Sequence, residues 1–325
     1  MPTAIGFSRY GAPEVLHPLQ IETPRPGPGQ ALVRVRAAGV NPVDCKIRRG
    51  EFAGAEPRRF PQRLGNEFAG TVVELGPDNP AESAVAVGTD VLGSASAQAY
   101  AETLVVDTAG LVVKPPSVPW EAAAGLPAAG QTARTALLRL DVRPGDVVLV
   151  HAAAGGVGTI AVQLARELGA RVIGTASEAN HDYLRGLGAV PVAYGPGLTE
   201  RVRALVPEGI DAALDLVGGE AVTTSLALVG DRRRIGTTVD RKAVEEHGVQ
   251  RVGGRSHAAL REVADMAAAD RLTLPVRTFP LGEAASAHRA VETGHVRGKV
   301  VLLVPGLGSA AHPGVAPRAP HLGSV

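Results

Sequence analysis

One stretch, Val147 to Ser177, constrains this chain more than any other. It reads VVLVHAAAGGVGTIAVQLARELGARVIGTAS. Val147 to Val150 is a continuous apolar run closed by small residues, the pattern of a fully buried parallel strand. Ala153, Gly155 and Gly158 follow at the G-x-G-x-x-G spacing, with alanine in the first place and Gly156 and Val157 filling the turn. At this spacing Gly155 lets backbone approach a pyrophosphate, and Gly158 lets the next helix lie close on the strand. That helix is expected from Thr159 to Leu168, with Ile160, Leu164 and Leu168 on one stripe and Gly169 as its stop. Arg171 to Gly174 supplies a second strand. A lone glycine motif is weak evidence, but strand, glycine turn, helix and strand in this order are its confirming context. The stretch implies a dinucleotide-binding unit.

The alternation continues beyond it. Strands are expected at Val190 to Tyr194, Ala212 to Val217, Arg234 to Val239 and Lys299 to Val304. Helices are expected at Glu178 to Leu187, Leu198 to Leu205, Val222 to Leu228, His257 to Ala269 and Gly282 to Thr293. Such alternation gives the α/β class with a doubly wound parallel sheet. Residues 1 to about 118 differ. Short apolar runs alternate there with Gly and Pro, and PRPGPGQ at Pro24 to Gln30 fits only a turn leading into a strand. A partly closed barrel or compact sheet is the expectation. Between the two regions, Glu121 to Ala124 and Thr132 to Leu140 read as two small-residue helices. From Pro305 the Gly, Pro, Ala and Ser bias reads as a flexible tail.

Composition narrows the function. A formal net charge of +1 over 325 residues predicts no strong attraction to nucleic acid or to acidic membranes. No run of about 18 apolar residues reads as a membrane span, and no signal peptide is evident, so a cytoplasmic protein is expected. Cys45 is the only cysteine, which excludes an internal disulfide and any multi-cysteine metal site. It reads as a small buried side chain rather than a reactive thiol. Cofactor type follows from the second strand's end. NAD-preferring folds place a carboxylate about 20 residues after the glycine loop to accept from the ribose 2′-hydroxyl. Here that place reads Gly174-Thr175-Ala176-Ser177. Hydroxyls welcome a 2′-phosphate that a carboxylate would repel, so NADPH is favoured, with Ser177 as its contact and Glu178 required to point outward. Asn180, His181 and Arg185 are further candidates, although Arg185 is well explained as a solvated helix residue.

Five segments carry a resemblance: AAGVNPVDCKIRRG, LGNEFAGTVVELG, GLPAAGQTARTAL, AAAGGVG and GHVRGKVVLLV. In order and spacing the chain resembles the zinc-independent quinone oxidoreductase (zeta-crystallin-like) branch of the medium-chain dehydrogenase/reductase superfamily. The resemblance implies a Rossmann domain, residues 119–263, inserted into a GroES-like substrate domain made of 1–118 plus 264–304, with 305–325 as the tail. It implies a homodimer and an active site in the cleft. It also places Asn41 and Asn66 where the superfamily's zinc enzymes carry a Cys and a His. A neutral amide is a poor zinc ligand, so no metal is expected.

Without a Lewis acid, an unactivated ketone is a poor hydride acceptor. Quinones and α,β-unsaturated carbonyls are better, because their product anions need only hydrogen-bond donors. Asn41 and Asp44, from the N-P-x-D motif, are expected beside the nicotinamide: Asn41 as an amide donor, Asp44 as a group that orients neighbours or simply shapes a turn around Pro42. The resemblance adds Tyr194 on the phosphate side. Thr132 has a hydroxyl that could reach the cofactor or cap a helix. His295 and Lys299 belong to the terminal G-H-x-x-G-K segment, with no catalytic role assigned to Lys299. The expected function is NADPH-dependent, metal-free reduction of a small quinone or enone. The alternatives are an enoyl-thioester reductase, disfavoured because Phe52 stands where related enzymes carry a tyrosine, and a non-catalytic NADPH-binding protein.

Overall fold

The computed structural model describes residues 1–54, 59–79 and 84–305. Apart from Pro305, the expected tail lies outside the described residues.

The N-terminal part is built of β1 (Thr3–Phe7), β2 (His17–Gln20), β3 (Gln30–Val40), α1 (Pro42–Arg49), β4 (Gln62–Arg63), β5 (Glu67–Leu75), β6 (Asp90–Ser94), β7 (Thr103–Asp107) and β8 (Val112–Val113). β3 is its spine. Eleven residues long, it pairs antiparallel with β5 and β7, and register shifts at Leu32/Val33 and Val35/Ala37 bend the sheet around it. Phe7, Val33, Val35, Phe68 and Leu104 fill the interior.

A single helix, α2 (Trp120–Arg139), leads out of this unit. It unites the two helices expected at Glu121 to Ala124 and Thr132 to Leu140, although Pro127 in its interior removes one backbone donor. The helix runs through Pro127 because its neighbours are held from outside the ladder. Ala128 N donates to Glu67 Oε2 at 2.7 Å, and Gln131 Nε2 donates to the Pro127 carbonyl at 2.7 Å.

Then follow β9 (Val147–Val150), α3 (Gly156–Glu167), β10 (Arg171–Ala176), α4 (His181–Gly186), β11 (Val190–Ala193), α5 (Leu198–Leu205), β12 (Ala212–Asp215), α6 (Glu220–Leu228), β13 (Ile235–Thr237), α7 (Arg241–His247) and β14 (Gln250–Arg251). Their sheet is wholly parallel in the order β11-β10-β9-β12-β13-β14, with β9 fully buried between β10 and β12. This is the doubly wound α/β sheet that the alternation implied. α8 (His257–Ala268) comes next, then β15 (Val276–Pro280), α9 (Ala284–Glu292) and β16 (Lys299–Leu303).

β15 and β16 rejoin the first sheet, where β16 lies antiparallel to β3 with Val300 opposite Val40. A division at 263/264 would cut α8, whose Val263 and Ala264 share a core with Ala133 and Leu137 of α2. The chain re-enters the first sheet only at β15. A second difference is α1, where Pro42 suggested a turn. Pro42 occupies the first helical position, and Asp44 Oδ2 accepts from Asn41 N at 2.8 Å, so the N-P-x-D motif starts a helix.

Candidate active site

The glycine loop lies between β9 and α3. Close packing dictates its small residues. A Cβ on Gly158 would stand 2.4 Å from the Ala152 carbonyl oxygen, so only glycine lets α3 approach the loop. A Cβ on Gly156 would stand 2.6 Å from Lys299 Cδ, so this residue admits a side chain from β16. Ala153 is fully buried and donates its N–H to the Thr175 carbonyl; it supports the loop from beneath. Ala152, Ala154, Gly155, Gly156, Val157 and Gly158 are the loop residues that line open space.

That space is a groove with two halves, of about 280 Å³ and about 210 Å³, which share Ala152, Gly155, Gly294 and Val296. The larger half runs over the C-terminal ends of β10 and β11 and brings Ser177, Asn180 and Tyr194 together. Glu178 is exposed and does not line it, the outward orientation that a 2′-phosphate requires. Arg185 pairs with Asp182 on the exposed face of α4. His151 lines this half yet is almost wholly buried, its Nε2 3.0 Å from Ser225 Oγ, and burial lowers its pKa to about 4. Thr132 does not line either half; it sits inside α2, packed against the backbone of Gly253, so it is no N-cap.

The smaller half is lined by Asn41 and Lys299, with Glu67 buried behind them. Lys299 Nζ donates to Glu67 Oε1 and to Asn41 Oδ1, both at 2.6 Å, and Asn41 Nδ2 donates to Glu67 Oε1 at 2.8 Å. Glu67 is fully buried and Lys299 is 5% exposed. The orientation of Asn41 follows from its partners: an ammonium only donates and a carboxylate only accepts, so Oδ1 faces Lys299 and Nδ2 faces Glu67. One amide hydrogen of Asn41 remains for the groove. Sequence reasoning missed Glu67 and left Lys299 without a role, because the partners come from strands 232 positions apart. The available signal was a carboxylate at the start of a strand whose next three residues, Phe68, Ala69 and Gly70, are apolar and buried.

Asp44 organises the second layer. Its carboxylate accepts from Asn41 N at 2.8 Å, Gly65 N at 3.2 Å and Asn66 Nδ2 at 2.8 Å. Burial pushes its carboxyl up to about 6, against the opposing pull of the Asn41 and Gly65 amides. Asp44 therefore holds Asn41 and Asn66 in place and does not itself line the groove. Cys45 is buried, with burial raising its thiol to about 12. Among the described residues, no group of three or more His, Cys, Asp or Glu side chains is placed to hold a metal ion. No described helix is long and apolar enough to cross a membrane.

Comparisons with known proteins agree with this architecture. Residues 27–117 match the alcohol dehydrogenase GroES-like domain, and residues 187–302 match a zinc-binding dehydrogenase domain. A quinone oxidoreductase from Coxiella burnetii superposes with a TM-score of 0.82 at 34% identity, covering 94% of this chain and 99% of that one. The Escherichia coli quinone oxidoreductase complexed with NADPH superposes with a TM-score of 0.82 at 25% identity, covering 93% and 99%. The polyketide synthase GfsB of Streptomyces halstedii is 37% identical over 299 residues, 85% of this chain but 5% of the synthase. The chain spans less than a fifth of the length of the curated relatives it matches. The inserted parallel sheet, the glycine loop and these full-length likenesses together show that the chain is an oxidoreductase of the medium-chain dehydrogenase/reductase superfamily and belongs to its quinone oxidoreductase branch.

Proposed function

We propose that this chain uses NADPH to deliver hydride to a quinone or an α,β-unsaturated carbonyl without a metal. The observation that carries the reading is the Asn41–Glu67–Lys299 cluster at the smaller half of the groove, where the nicotinamide would lie. The residues fit the cofactor. Gly155 lines both halves where backbone would approach a pyrophosphate, Gly158 lets α3 pack close on the loop, Ser177, Asn180 and Tyr194 meet in the larger half, and no carboxylate faces them from position 178. When bound, the reduced nicotinamide supplies the hydride.

The protein's own contribution is orientation and electrostatics. Lys299 and Glu67 clamp both ends of the Asn41 amide, which leaves one N–H free to stabilise the enolate or hydroquinone oxygen as charge develops there. Asn66 is bound to Asp44, and Asn41 to Lys299 and Glu67. Two engaged amides are a poor donor set for zinc, which supports the metal-free reading. Protonation of the product is then left to solvent.

The likeness to polyketide synthases favours a second reading, reduction of an enoyl thioester, which uses the same donor geometry. Purified protein should oxidise NADPH faster than NADH with 9,10-phenanthrenequinone or cyclohexenone, and should contain well under one zinc per chain. Turnover of crotonyl-CoA but not of quinones would select the thioester reading. NADPH binding without turnover of any acceptor would make the chain a binding protein, and stoichiometric zinc would overturn the metal-free mechanism. A homodimer is part of the same reading; a monomer mass by light scattering would remove it.

A further inference from the structure

The segment between α9 and β16 forms a strap across the groove, since Gly294 and Val296 line both halves. Its far side is fastened by Arg297. The guanidinium lies over the Tyr183 ring, 4.7 Å from the centroid, and Nε donates to Asn180 Oδ1 at 3.0 Å. Asn180 Nδ2 in turn donates to Ser177 Oγ at 3.2 Å. The direction of this chain is fixed by chemistry. A guanidinium has no acceptor, so the Asn180 oxygen must face Arg297 and its amino group must face Ser177. Ser177 Oγ therefore accepts from behind, and its own O–H is left to donate into the groove.

We propose that Arg297 is a specificity-determining positioning residue. Through Asn180 it presents the Ser177 hydroxyl as a donor, which selects a dinucleotide carrying a 2′-phosphate. Three donors point the same way, with a cation at the head, and successive donation polarises such a chain. An anionic phosphate oxygen gains most from that polarised donor, whereas a ribose 2′-hydroxyl gains little. Asn180 and Ser177 line the groove while Arg297 acts from behind them. The inference rests on the NADPH reading and deepens it.

Binding of 2′,5′-ADP and of 5′-ADP, measured by calorimetry on the whole chain, tests the inference without requiring turnover. Arg297→Ala should weaken 2′,5′-ADP at least tenfold and leave 5′-ADP within twofold, and Arg297→Lys should recover most of the loss. Asn180→Asp keeps an acceptor for Arg297 but replaces the donor to Ser177 with a second acceptor, so it should also abolish the preference for 2′,5′-ADP. The unchanged 5′-ADP affinity of the Arg297 variants reports that they are folded, and circular dichroism reports the same for Asn180→Asp. An equal loss of both ligands in Arg297→Ala would mean that the strap only closes the groove, and no loss would mean that Arg297 plays no part; either result overturns the relay. If the unmodified protein binds NADH and 5′-ADP but shows no preference for the 2′-phosphorylated forms, the NADPH reading itself fails.

Discussion

Lys299→Met is the substitution that most directly probes the site. It preserves the length of the apolar stem that passes over Gly156 and removes only the charge. Glu67, fully buried, then keeps Ala128 N and Asn41 Nδ2 as donors but loses its counter-ion. Removing one partner of a buried ion pair costs about 3–5 kcal/mol, because the remaining charge is left uncompensated. Glu67→Gln should cost a similar amount, since it strands the Lys299 ammonium with Asn41 Oδ1 and, at 3.5 Å, the Val40 carbonyl. The double variant should be less damaged than the sum of the two, with a coupling of at least about 2 kcal/mol, within the range of about 0.5–3 kcal/mol known for residues in direct contact. Urea unfolding of the four proteins measures this. A second readout concerns Asn41, which loses a clamp in Lys299→Met. If its free N–H serves as the oxyanion donor, kcat should fall by a factor on the order of 100–1,000. Single variants that each cost under about 1 kcal/mol, or that simply add, would refute the ion-pair argument. An unaltered kcat in Lys299→Met would refute the link from the pair to Asn41.

Other consequences can be checked independently. Ser177→Asp should move preference from NADPH toward NADH, read as the ratio of kcat/KM values. Gly158→Ala puts a methyl group 2.4 Å from the Ala152 oxygen, so it should weaken cofactor binding at least tenfold in a fluorescence titration. Cys45 should resist iodoacetamide in the native protein and react once unfolded, because its buried thiol is held up at about 12. Acid stability has a definite sign. His288 (about 3) and His151 (about 4) are lowered chiefly by burial. Each contributes stability that is present above about pH 6.5 and lost as pH falls toward its folded pKa. Asp44, raised by burial to about 6, works the other way: its contribution is present below about pH 4 and lost as pH rises through 6. Two histidines outweigh one carboxyl, so thermal stability should drop between pH 6.5 and 4. His288→Phe should flatten the drop.

The sequence was legible where the physics is local. The glycine loop, the buried strand Val147–Val150 and the helix after it depend on neighbours within a short stretch, and their pattern identifies the sheet. The site was legible in part: Asn41 lines the smaller half of the groove, and Ser177 and Tyr194 meet in the larger half. Legibility failed where a distant group overrides a local rule. Two short helices are read where one runs through Pro127, with Glu67, 61 positions before Ala128, taking the Ala128 N–H. Pro42 reads as a turn until Asp44 is seen closing the cap. Thr132 sits in a promising motif, but the rotation of α2 carries it to Gly253. Lys299 looks like an ordinary strand-opening residue, because nothing near it announces a carboxylate on β5.

The position of Lys299 also bears on how the molecule comes into being. Its strand, β16, pairs with β3 across some 260 residues, and the whole nucleotide-binding sheet is translated between the two. A nascent chain that has already made the glycine loop still lacks the ammonium that neutralises Glu67 and the strap that crosses the groove. The strap and the Lys299–Glu67 pair thus both depend on the last described stretch of the chain. Contacts of such long sequence separation form slowly. On the ribosome, the growing polypeptide cannot pair β16 with β3 until synthesis has passed residue 303.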